Sequence, residues 1–119
     1  MKICIPTEGN NGLSEAVCAH FGQADTFTLY DTDTGDVRVI ENRSEHKGGL
    51  GTPPQQLHKE NVEIVLAGGL GPKAVDMLQG FGIDVYVGAN GTVQDTIEEW
   101  RKGNLAKATY DNACRDHAH

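Results

Sequence analysis

The chain opens on a short apolar run, "KICIP", followed at once by the polar "TEGNNG", rich in glycine and asparagine. That order predicts a strand stopped at Pro6 and a loop after it. From Thr26 onward the pattern alternates, with Phe27 and Leu29 against Thr28 and Tyr30, then a polar stretch centred on "DTDTGD", then Val37 and Val39 against Arg38 and Ile40. A period of two on both sides of a turn-rich centre predicts a hairpin. "VEIVLAGG" is almost continuously apolar, the pattern of a strand covered on both faces in a parallel sheet, and "IDVYVGA" is a further strand.

Around these strands the spacing becomes helical. Ala74, Val75, Leu78 and Phe81 fall on one stripe that stops at Gly82. Val93, Ile97 and Trp100 form another, with Thr92 as cap and Gly103 as stop. A shorter, mostly polar helix starts at Thr52, where Pro53 takes the first helical position and Gln55 follows the cap by three. The sequence therefore predicts an α/β domain over residues 1–105, built on a mixed five-stranded sheet with flanking helices, and a polar tail over 106–119. Ligands of such sheets favour the carboxyl edge of the parallel strands. The loops there are the one after "KICIP", the "GGLGP" turn and the "GANGT" turn.

Length and charge narrow the partners. At 119 residues the chain is sized for one domain. With 38% hydrophobic and 23% charged residues it has an ordinary globular composition. The net charge of -7, with only 10 scattered basic residues, argues against nucleic acid, whose phosphates demand basic patches. No apolar run approaches a membrane span and the start does not read as a signal peptide, so no membrane partner and a cytoplasmic location are expected. The acidic balance also opposes anionic ligands unless local N-H groups or a metal centre offset the field.

Three cysteines, Cys4, Cys18 and Cys114, are odd in number and widely spaced, which fits reduced thiols rather than a disulfide framework. Cys4 sits in an apolar strand and reads as core. Cys18 and His20, in "SEAVCAHFGQAD", pair a soft thiol with an imidazole, donors suited to iron-sulfur, Cu or Zn chemistry. Two donors are fewer than the three or four of a stable site. The tail "CRDHAH" offers Cys114, His117 and the terminal His119, and His46 in the glycine-rich "SEHKGGLG" is a further donor near the same edge. His58 is expected to face solvent. A structural reading stands beside each of these: a hydrogen-bonded histidine under a loop, a half-buried thiol, an unstructured terminus.

Gly69, Gly71 and Ala74 in "AGGLGPKA" fit the spacing of a dinucleotide-binding turn. However, Pro72 removes one N-H donor and no acid follows about 20 residues on to hold a ribose. The turn either allows helix to pack on strand or presents N-H groups to an anion or a cluster sulfide. Asp31 with Asp33, and Glu98 with Glu99, read as solvated acids. There is no nucleophile elbow, no thiol in an electropositive setting and no converging carboxylate set for Mg, so no enzyme is expected.

Taken in order, "KICIP", "HFGQAD" leading into "TFTLYD", "IEN" before a glycine loop, "AGGLGPKA", "GIDVYVG", "GTVQDTIEEW" and "GNL" resemble the dinitrogenase iron-molybdenum cofactor biosynthesis family. That family includes nitrogenase-accessory carriers of the NifX type and small stand-alone relatives. The resemblance runs from about Lys2 to Leu105. It implies a ribonuclease H-like fold without ribonuclease chemistry, and a role in binding or carrying an iron-sulfur or molybdenum-containing cluster, with a cluster-donor or acceptor protein as partner. By the same resemblance, His20, standing before Phe-Gly, is a cluster contact. The competing expectations are a nucleotide- or anion-binding regulatory module using "GGLGP", and a Zn-binding interaction domain.

Overall fold

A computed structural model of the chain describes residues 1–43 and 51–109. The elements are β1 (Lys2–Thr7), β2 (Thr26–Asp31), β3 (Val37–Glu41), α1 (Pro53–Lys59), β4 (Ile64–Leu66), α2 (Pro72–Gly80), β5 (Asp84–Val87), α3 (Val93–Arg101) and β6 (Ala106–Lys107). They build one mixed sheet in the order β3-β2-β1-β4-β5-β6. β1, β4 and β5 are parallel, while β2 runs antiparallel to β1 and to β3, and β6 runs antiparallel to β5. The sheet thus has six strands among the described residues, not five. The extra strand, β6, pairs Ala106 with Val87 and Lys107 with Tyr86. It spans only two residues, both exposed, so it leaves no alternating pattern to read.

The continuous apolar runs follow from burial on both faces. Along β1, Ile3 and Ile5 point to one layer and Cys4 to the other; along β4, Ile64 and Leu66 oppose Val65. One layer is closed by Leu57 of α1 and by Val75 and Leu78 of α2, the other by Val93 and Ile97 of α3. Cys4 has no exposed surface, and desolvation pushes its thiol far above the ordinary thiol range. It is a core residue, as its apolar context predicts. No helix among the described residues is long and apolar enough to cross a membrane.

Local chemistry sets the helix ends. At α1 the Gln55 N-H donates to Thr52 Oγ1 at 3.3 Å while the Thr52 N-H donates to Gln55 Oε1 at 2.8 Å. α3 repeats this reciprocal box, with the Asp95 N-H on Thr92 Oγ1 at 3.1 Å and the Thr92 N-H on Asp95 Oδ2 at 3.2 Å. Gly82 and Gly103 follow α2 and α3 at φ of 78° and 77°, a left-handed conformation that admits glycine at no steric cost.

Candidate functional site

Beyond the pairs Ile3 with Ile64 and Cys4 with Val65, β1 and β4 cease to be partners, and residues 15 to 21 take the place beside β1. Backbone bonds string this segment across the carboxyl edge. The Cys18 N-H donates to Pro6 O at 2.9 Å and the Glu8 N-H to Ala16 O at 3.2 Å, joining it to β1 and the loop beyond. The Val17 N-H donates to Gly91 O at 2.9 Å, and the Val93 N-H to Glu15 O at 3.0 Å, at the start of α3. The Phe21 N-H donates to Gly69 O at 3.1 Å, past the end of β4. One segment therefore touches the ends of all three parallel strands or the turns that leave them.

That suspension explains one glycine and demotes another. A Cβ on Gly68 would lie 3.2 Å from Ala19 O and 3.3 Å from Ala89 O, both backbone atoms, so a side chain there would push the segment away. Gly69, by contrast, serves through its carbonyl, and Gly71 opens α2 as its N-cap with no side-chain hydrogen bond. Space beside Gly71 is open: nothing stands within 4 Å of where its Cβ would be.

Three hydroxyls brace the edge from the β2 side. Thr7 Oγ1 lies 3.0 Å from Thr28 Oγ1 and 2.6 Å from Thr26 Oγ1, and Thr26 Oγ1 donates to Gly9 O at 2.6 Å. Donating in series from Thr28 through Thr7 and Thr26 to Gly9 O satisfies each proton once, which ties the loop after β1 to the hairpin. Sequence reasoning missed Gly68 and these threonines. Gly68 was legible only as one more glycine, and the threonines only as the polar half of an alternation.

The edge gathers Cys18, His20, Gly69 and Gly71. Cys18 is half-buried, packs against the α1 and α2 side of the core, and donates its S-H to the His20 carbonyl at 3.4 Å. The sulfur thus sits beside the backbone of the residue bearing the imidazole. His20 is exposed, with extended backbone at φ -121° and ψ 113°, and stands at the N-terminal end of a short 3-10 turn, Phe21–Gln23. His46, Cys114 and His117 lie outside the described residues. The described flank before His46 belongs to the same edge: the Asn42 N-H donates to Asp25 O at 3.1 Å, and its buried side chain to Ala24 O at 2.9 Å. The described chain before Cys114 does not, because β6 runs back along β5 toward its amino end. Among the described residues no three His, Cys, Asp or Glu side chains gather as a metal site.

The remaining candidates have structural roles. His58 is exposed but stacks on Phe81, with centroids 4.3 Å apart and planes 12° apart, linking α1 to the residue after α2. Asp33 and Asp31 hold the N-terminal amine at 2.9 and 3.8 Å at the opposite edge. Glu99 accepts from Asn104 Nδ2 at 2.6 Å on the outer side of α3.

A mixed α/β sheet whose parallel carboxyl edge is closed by a backbone-suspended thiol and imidazole segment defines the class. The chain belongs to the dinitrogenase iron-molybdenum cofactor family, whose sequence profile matches residues 1–103. An uncharacterized protein of Methanocaldococcus jannaschii is 30% identical over 112 residues, covering 90% of this chain and 91% of the relative. The apo form of the orange protein from Desulfovibrio gigas superposes with a TM-score of 0.81 at 29% identity, over 91% of this chain and 92% of that one. A candidate NifB protein from Thermotoga, solved by NMR, superposes at 0.74 with 31% identity, over 89% and 91%.

Proposed function

We propose that this protein binds and carries an iron-sulfur or molybdenum-containing metal-sulfur cluster without catalysing a reaction, and that the carboxyl edge receives it. The observation behind this reading is the suspension of Cys18 and His20 beside the uncapped start of α2. Thiolate and imidazole are donors for iron and copper, and the N-H groups of a helix N-terminus favour the negative charge of cluster sulfur. The net charge of -7 opposes an anionic cargo at long range, so these local donors have to outweigh it at contact.

The donor set fits such a cargo and also sets its lability. Two soft side chains are fewer than a permanent cluster site uses, which suits a protein that hands its cargo to an acceptor. His46, Cys114 and His117 are further donors in this proposal. The order β3-β2-β1-β4-β5, with β2 antiparallel to its neighbours, supports the ribonuclease H-like reading of the sheet. Membership of the family and the likeness to the apo orange protein and the candidate NifB protein support the cluster reading.

Anaerobic reconstitution with iron and sulfide, with and without molybdate or copper, tests it by absorbance and metal content after gel filtration. Stoichiometric uptake that is lost in the Cys18→Ala, His20→Ala double variant is the expected result. Equal uptake by that variant would remove these residues from the site. The uncapped α2 also favours a second reading, a simple anion or nucleotide in the "GGLGP" turn. Thermal stabilisation by phosphate or ATP, with none by iron and sulfide, would select it.

A further inference from the structure

We infer that Asn90 is a modification site, where the side-chain amide is lost to water without an enzyme, and that the product loosens the crossing segment through Gly91. The chain holds two Asn-Gly pairs, Asn11 with Gly12 and Asn90 with Gly91. In such a pair no side chain shields the glycine nitrogen from the asparagine Cγ. What separates the two is how firmly each asparagine is held. Asn11 is braced on both sides: its N-H donates to Glu15 Oε1 at 3.2 Å, and its carbonyl accepts from the Ser14 N-H at 3.4 Å. Asn90 is exposed, and among the described residues only its carbonyl is engaged, by Thr96 Oγ1 at 3.2 Å. Its amide is free to turn toward the Gly91 nitrogen, whose own N-H makes no hydrogen bond among the described residues.

The chemistry needs only water. The Gly91 nitrogen gives its proton to solvent base and attacks Asn90 Cγ; the new C-N bond forms, the Cγ-Nδ2 bond breaks, and Nδ2 takes up a proton and leaves as ammonia. The cyclic imide then adds one water and opens at either carbonyl. Opening at Cγ leaves an aspartate in an unchanged main chain. Opening at the α-carbonyl leaves isoaspartate, whose main chain runs through Cβ and Cγ and is one methylene longer. Either way an amide and a water become a carboxylate and ammonia.

The extra length falls where the crossing segment is held from the α3 side. Gly91 O accepts the Val17 N-H at 2.9 Å, Ala16 bridges Thr92, and the Val93 N-H donates to Glu15 O at 3.0 Å. Just upstream the Ala89 N-H is fixed on Ala67 O at 3.0 Å, and just downstream Thr92 is fixed by its box with Asp95. A methylene inserted between these two anchors has to be taken up at Gly91, which moves its carbonyl off the Val17 N-H. The new carboxylate also joins Asp95 and Glu99 around a cavity of about 350 Å³, where like charges repel. Cys18 follows Val17 but hangs from Pro6 O on the β1 side, so the segment is released from one side only.

The test needs no metal, so it stands or falls apart from the cluster reading. The full chain is held in mildly alkaline buffer, folded and in urea, and sampled by peptide mass, with isoaspartate told from aspartate by enzymatic methylation. The folded chain is expected to convert at Asn90 ahead of Asn11 and to gain one negative charge beyond its -7 on ion exchange, while in urea both sites convert. In the isoaspartate form the Val17 amide should exchange its hydrogen about fivefold faster, the loss of one net hydrogen bond, with the Cys18 amide unchanged. Asn90→Gln, whose longer side chain closes the ring poorly, should melt like the parent and keep its mass and its Val17 exchange on ageing. Asn11→Gln should age at Asn90 as the parent does. Conversion at Asn11 first, or none at Asn90 in the folded chain while the chain in urea converts there, overturns the site. Unchanged Val17 exchange in the isoaspartate form overturns the link to the crossing segment.

Discussion

α2 and α3 begin alike and end up differently equipped. Both follow a glycine turn at the carboxyl end of neighbouring parallel strands, and both start on the edge that residues 15 to 21 cross. α3 is closed twice over: Thr92 and Asp95 cap each other's N-H groups, and the Val93 N-H is taken by Glu15 O. α2 starts at a glycine that caps nothing with a side chain, next to open space. Stability alone favours the first arrangement; the open start of α2 is the one that the proposed cargo would use. The lesson is that two adjacent helix starts on one edge are closed to very different degrees, and the proposal assigns binding to the open one.

The strongest way to break this contrast is to remove the segment both helices share. Gly68→Val would press a branched side chain into the carbonyls of Ala19 and Ala89. A loss of about 3 kcal/mol in urea denaturation is expected, together with lost cluster uptake. Thr7→Val should cost about 1 to 2 kcal/mol, because it interrupts the hydroxyl series and leaves the buried Thr28 hydroxyl without its acceptor, while Thr26 keeps Gly9 O. Its cluster uptake should fall less than its stability.

Smaller changes sharpen the contrast between the two starts. Thr92→Ala removes one arm of the α3 box and should lower stability by about 1 kcal/mol in a thermal melt, with uptake unchanged. Gly71→Ser should do the opposite. Its backbone, at φ -73° and ψ 160°, accepts any residue, and a new cap should add about 0.3 kcal/mol while weakening uptake. Equal uptake by Gly71→Ser and the parent would mean that α2 takes no part in binding.

The far edge provides the smallest effect and a control. A hydrogen bond to the Asp33 side chain raises the N-terminal amine above its ordinary value, and the Asp33 N-H holds Asp31 below its own. The amine's contribution is present below about pH 8 and fades as pH rises through the raised value; that of Asp31 is present above about pH 4 and fades as pH falls through the lowered one. These groups are exposed, so a shallow stability plateau between those limits is expected from pH-dependent melts. Acetylating the amine should flatten its alkaline side without touching uptake.

What could be read in the sequence divides along the same line. Side-chain chemistry was legible: Thr52 with Gln55 announced the α1 cap, Thr92 announced that of α3, and the burial of Ile64, Val65 and Leu66 on both faces was implied by the unbroken apolar run "VEIVLAGG". Backbone chemistry was not. β6, the crossing segment and the close approach at Gly68 rest on main-chain N-H and C=O groups, which every residue carries, so no residue type marks them. Cys18 and His20 were visible as donors, but the bend that brings Sγ to the His20 carbonyl was not.

Cys4 and Cys18 turn this molecule into its own stopwatch. The first sits in the middle of a sheet, sealed and held as a neutral thiol, so an alkylating reagent reaches it only when the whole domain opens. The second is half-buried at the edge, the more accessible of the two described thiols. Timing the modification of Cys4, told apart from Cys18 and Cys114 by peptide mass, would follow global opening with no dye and no denaturant.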